Sequence, residues 1–165
     1  MKNAPPVVND CFSLMTMSKI ILLDSSPLGL ITNPHSSPTN DACNQWVQGQ
    51  LVSGVQVLVP EIVDYEIRRE LLRAGKTRGI AYLNAAKTSL GYLPLTTTAM
   101  LKAAEFWAQA RQQGKQTAHN LRLDVDVILA AQAALLIADG HEVTVATGNV
   151  SHLSIFVPAA LWQDI

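Results

Sequence analysis

The sequence predicts an α/β domain with a mainly parallel central sheet flanked by helices. Three observations lead there. Short apolar runs at residues 20–23 (IILL), 55–59 (VQVLV) and 143–146 (VTVA) have the character of strands buried on both faces. Segments of helical periodicity lie between them, and strand–helix alternation argues for right-handed crossovers in one sheet. No internal repeat or linker interrupts the 165 residues, a length that suits a single core.

The elements follow in order. The first strand ends abruptly at Asp24, and Ser25 to Ile31 can form a helical turn. Asn33-Pro34 opens a polar loop up to Asn40. A helix begins at Asp41, carries Trp46, Val47 and Leu51, and stops at Gly54. After the second strand, Pro60 takes its favoured first-turn position in a helix whose apolar stripe is Val63, Ile67, Leu71 and Ala74. Glu66 interrupts that stripe, whereas Asp64 points to nearly the opposite face. Residues 80–90 form a further helix, residues 92–95 a short strand, and Thr97 or Thr98 caps a helix running to Gly114. Residues 125–138 (VDVILAAQAALLIA) are apolar nearly all round, as in a central buried helix, with Asp126 in its first turn and Asp124 as its N-cap. The strand at 143–146 runs into Thr147-Gly148-Asn149, and a last strand is expected at 154–157.

Composition narrows the function. With 48% apolar residues, 15% charged residues and a net charge of −1, any nucleic-acid partner must be met by a local basic patch. Cys11 and Cys43 are too few for a disulfide framework, which suits a reducing, cytoplasmic location. No apolar run approaches the roughly 18 residues of a membrane span. Residues 1–17 lack periodicity, and Met17-Ser18-Lys19 reads as a natural start; the expectation is a disordered extension or a late translation start, with the domain spanning 18–165.

Three carboxylates stand in awkward places: Asp24 at the end of a buried strand, Glu66 in an apolar helix face, and Asp126 in the most apolar helix. In open α/β sheets, ligands bind beyond the carboxyl ends of the strands. Asp24 can equally serve as the cap of the next helix. Acids converging there would repel one another unless a divalent cation neutralised them, and oxygen-only ligation suits Mg²⁺ or Mn²⁺. Such a cation can activate water and stabilise charge developing on a phosphodiester.

These residues resemble the PIN-domain ribonucleases, including the VapC-type toxins of toxin–antitoxin pairs. The resemblance rests on the opening strand with Asp24, on VPEIVDYEIRREL (59–71), on DVILAAQA (126–133) and on ATGNVSHL (146–153). It implies a PIN-like fold and a Mg²⁺- or Mn²⁺-dependent endoribonuclease acting on RNA. Asp24, Glu66 and Asp126 are its metal ligands, and Asn149 takes the position where other members carry a fourth acid. An amide there brings no negative charge, and Asp124 is a further candidate ligand. The resemblance also implies a homodimer, an antitoxin partner, and cleavage leaving a 3′-hydroxyl and a 5′-phosphate. The rival expectation is a catalytically weak or inactive PIN-like module that binds RNA or protein, motivated by Asn149.

Arg68, Arg69, Arg73, Lys76 and Arg78 form a basic cluster. Arg68 and Arg69, adjoining Glu66, are the RNA-binding candidates; Arg73 and Lys76 read more simply as a solvated helix end. Thr147 and Ser25 are hydroxyl candidates for orienting water or carboxylates. The four histidines show no zinc-ligand spacing, and none is assigned to metal.

Overall fold

Residues 20–23 form the middle of the sheet because they have no polar side chain to offer solvent; all four are buried. In the computed structural model, which describes residues 17–113 and 120–165 (side chains from 124 in the second segment), β1 (Lys19–Leu23) lies between β2 (Gln56–Pro60) and β4 (Glu142–Ala146). The two-residue strands β3 (Tyr92–Leu93) and β5 (Ala159–Ala160) complete a five-stranded sheet of order β3-β2-β1-β4-β5, parallel throughout. The helices are α1 (Ser25–Ile31), α2 (Pro38–Val52), α3 (Glu61–Arg73), α4 (Thr77–Ser89), α5 (Thr97–Gln112), α6 (Asn120–Ala138) and α7 (Val150–Leu153). A closing 3-10 turn covers Trp162–Asp164. The α/β class, the single domain and the parallel sheet are as the sequence predicts. The extension read at residues 1–17 lies, apart from Met17, outside the described residues.

Local chemistry sets most boundaries. Asp24 caps α1 with its carboxylate, Ser37 caps α2 just before Pro38, and Thr96 caps α5. Gly91 turns the chain between α4 and β3 at φ +136°, and a Cβ there would come within 2.8 Å of Leu58 Cδ2. That turn also supplies the Gly91 carbonyl that accepts from Val59 N–H.

Several expectations are corrected: the cap of α5 is Thr96 and not Thr97 or Thr98, and α2 begins at Pro38 and not at Asp41. The strand expected at 154–157 does not form there: the N–H groups of Phe156 and Val157 both donate to the Leu153 carbonyl, closing a turn after α7. The sheet is extended instead by Ala159–Ala160, once Pro158 has offered its carbonyl to Val145 N–H. The long apolar helix also starts five residues earlier than expected, at Asn120, so Asp124 is inside α6 and is not its N-cap. Leu121, Arg122 and Leu123 are good helix formers, and the strong apolar run after them hid the earlier start.

Candidate active site

The β1–β4 register builds the site. Leu23 pairs with Ala146, so the residues that follow these two strands, Asp24 and Thr147, leave the sheet side by side. Asp24 N–H donates to the Ala146 carbonyl at 2.9 Å. The buried Thr147 hydroxyl donates to Asp24 Oδ2 at 2.6 Å, and Ser25 N–H donates to Oδ1, also at 2.6 Å. Asn149 N–H in turn donates to Thr147 Oγ1 at 2.9 Å. Asp24 is therefore a helix cap and, at 8% exposure, a carboxylate presented at the carboxyl edge of a parallel sheet. The cap reading and the site reading describe the same side chain.

Two helices bring the other acids. Glu66 comes from the second turn of α3, which packs against α1 and α6, and Asp126 from the second turn of α6. Asp24, Glu66 and Asp126 line one pocket of about 340 Å³ together with Ser26, Asn149 and His152. Their proximity is electrostatically visible. Burial, then the charge of Asp24, pushes the Asp126 carboxyl up to about 6; Glu66 adds to the rise, and His152 opposes it. A group raised in this way is short of positive charge.

His152, which the sequence did not single out, stands in the same pocket. Its Nδ1 lies 3.4 Å from Asp126 Oδ2 and 2.6 Å from Asn149 Nδ2. The signal was available: Asn149 and His152 are three apart across the short α7, a spacing that places side chains together. Gly148 permits close approach on the same rim, since a Cβ there would meet Ser26 Oγ at 2.8 Å.

The remaining candidates divide. Asp124 is exposed and borders a separate cleft between α5 and α6, with Trp107 and Ile128. Arg68 faces away from the acids: its Nη2 donates to Asp64 Oδ1 at 2.7 Å and to Asn84 Oδ1 at 2.9 Å. Asp64 is buried, and Lys87 Nζ donates to its other oxygen at 2.9 Å while lying 4.0 Å from the Tyr92 ring centre. This network ties α3 to α4 and β3. Arg69 packs its guanidinium over Tyr65, 5.4 Å from the ring centre, and lies 4.0 Å from Glu70.

The donor set is that of a hard divalent cation: three carboxylates from three elements and one amide, all oxygen ligands of the kind Mg²⁺ and Mn²⁺ take. Among the described residues, however, no three His, Cys, Asp or Glu side chains are drawn into a ready-made metal-binding group. Asp126 is turned toward His152 and both Asp24 oxygens accept internal hydrogen bonds. The donor types fit such a cation.

No protein-family model matches the chain, and no curated protein sequence matches it. Solved structures do. VapBC2 from Rickettsia felis, bound to a DNA fragment from its promoter, matches at TM-score 0.67 and 16% identity, covering 87% of this chain and 98% of that one. VapBC-1 from nontypeable Haemophilus influenzae matches at TM-score 0.63 and 13% identity, covering 87% and 98%. DNA-bound VapBC from Salmonella typhimurium matches at 0.60 and 16%, covering 88% and 99%. At this identity the likeness is one of architecture: the chain has a VapC-like PIN-domain fold.

Proposed function

We propose that this chain is a metal-dependent endoribonuclease and the toxin of a type II toxin–antitoxin pair. The observation that carries the reading is the meeting of Asp24, Glu66 and Asp126 at one pocket on the carboxyl edge of the sheet, with Asp126 pushed up to about 6 by burial and by its acidic neighbours. Asp24, Glu66 and Asp126 would hold Mg²⁺ or Mn²⁺. Bound there, the cation supplies Lewis acidity toward a phosphodiester and makes water acidic enough to act near neutral pH. The chain's own groups set the stage: the Thr147 hydroxyl and Ser25 N–H fix the Asp24 carboxylate, and His152 Nδ1 stands against both Asp126 and the Asn149 amide. The antitoxin partner is supported by the VapBC complexes that share the fold. A homodimer and RNA as substrate belong to the same proposal.

Cleavage of single-stranded RNA with Mg²⁺ or Mn²⁺ tests it. Wild type is expected to yield 3′-hydroxyl and 5′-phosphate ends. Asp24→Asn and Asp126→Asn should each cut at least about 100-fold more slowly, about 2.7 kcal/mol of lost transition-state stabilisation. Undiminished cleavage in either variant removes the mechanism.

One observation favours a second reading. The acids are not in a ligating arrangement and Asn149 lacks a charge, as in a PIN-like module that binds RNA or protein without cutting. RNA binding by the wild type with no cleavage at saturating Mn²⁺ would select it.

A further inference from the structure

The acidic pocket does not end at Glu66. It shares Ser25 and Glu66 with a second cleft of about 420 Å³, which shares Ile67, Leu71 and Lys76 with a cavity of about 520 Å³. The three form one trough along α3, from the carboxylates to the α3–α4 connection. From Glu66 to the end of α3 is about 10 Å at 1.5 Å per residue. Ile67 and Leu71 floor it with apolar surface. The far cavity is lined by Lys76, Arg78 and His35 among others.

The charges along the trough are not equivalent. Arg68 and Lys87 are paired with Asp64, and Arg69 and Arg73 lie within 4.0 Å of Glu70. Lys76 and Arg78 are exposed and form no such pair among the described residues. These two cations face a cavity continuous with a pocket of acids, an arrangement of opposite signs at opposite ends. A polyanion whose reacting phosphate sits among the acids with a cation needs counter-charge farther along its backbone. Unpaired cations over an apolar floor provide it and leave the bases a surface to lie on.

We propose that the trough is the track of a single-stranded RNA flanking the cleaved phosphate, with Lys76 and Arg78 holding backbone phosphates beyond the end of α3. This assignment rests on the ribonuclease reading of the acidic pocket and moves phosphate binding from Arg68 and Arg69 to the α3–α4 connection. The rival occupant is an apolar protein segment; charge complementarity favours RNA.

The test uses the full chain, a fluorescein-labelled single-stranded RNA of about 12 nucleotides, within the site sizes of single-strand binders, and anisotropy in EDTA from about 50 to 200 mM salt. The double variant Lys76→Gln/Arg78→Gln is compared with wild type and with Lys19→Gln, an exposed control at the start of β1. The double variant should bind about 10-fold more weakly, and its logarithmic salt slope should be shallower by about 1.4, two contacts at about 0.7 each. Lys19→Gln should match wild type, and thermal melting should be unchanged in both. Unchanged affinity and slope in the double variant overturn the assignment. So does unchanged RNA affinity with weakened capture of a protein partner, which gives the trough to a protein segment. Wild type that binds more tightly than the double variant in EDTA yet does not cut in Mn²⁺ leaves the trough standing and sinks the nuclease reading. Wild type that cuts, with a double variant indistinguishable from it on long RNA, does the reverse.

Discussion

Asp24 is held from two sides, and its partners were not readable together. That it ends a buried strand was legible, because four apolar residues stop at a carboxylate and turn residues follow. Its bond to Thr147 spans 123 positions and depends on the β1–β4 register, which no local pattern encodes. Removing that hydroxyl leaves a buried carboxylate oxygen short of a donor. Thr147→Val is therefore expected to lower unfolding stability by about 1.5–3 kcal/mol, the range for a hydrogen bond to a charged group. Thr147→Ser should retain most of it. Urea unfolding of both variants checks this, and equal midpoints for Val and Ser would show that the bond carries little. Glu66 and Asp126 were legible for a different reason: each breaks an apolar helix face. His152 was legible only through its i, i+3 spacing to Asn149, which counts once the residues between them are known to form the short α7.

Between elements, the decisive contacts are ionic as well as apolar. Asp64 was legible as facing away from Glu66, but its two cationic partners were not, since Lys87 is 23 residues distant on α4. The same network explains why Arg68, beside Glu66 in sequence, is engaged elsewhere in space. Asp64→Asn should destabilise the fold by about 3 kcal/mol, the lower end for breaking a buried pair, because Arg68 and Lys87 retain some access to water. Glu70→Gln, whose pairs are exposed, should cost under about 1 kcal/mol. Chemical unfolding of the two variants should rank them in that order, and equal losses would deny Asp64 its role. Gly91→Ala should cost about 1–3 kcal/mol, since its φ of +136° and the 2.8 Å approach to Leu58 both exclude a Cβ. The misplaced last strand belongs to this scale too: residues 154–157 look strand-like by side chain, but the turn uses their N–H groups first.

For the whole molecule, the parallel sheet and its alternation with helices were legible from apolar runs and punctuation. The sheet order was not, because it depends on which strands meet. That order puts β1 and β4 side by side at the centre, and with them the residues at which function is proposed. Within the described residues no helix is long and apolar enough to cross a membrane. On the proposed function, three carboxylates distant in sequence create a shared demand for positive charge. Calorimetric titration of Mn²⁺ into wild type and Asp24→Asn at neutral pH tests it without recourse to RNA. Saturable binding in the wild type, at least about 10-fold weaker in Asp24→Asn (about 1.4 kcal/mol), is the predicted result. Binding that is absent at millimolar Mn²⁺, or equal in the two proteins, would contradict it.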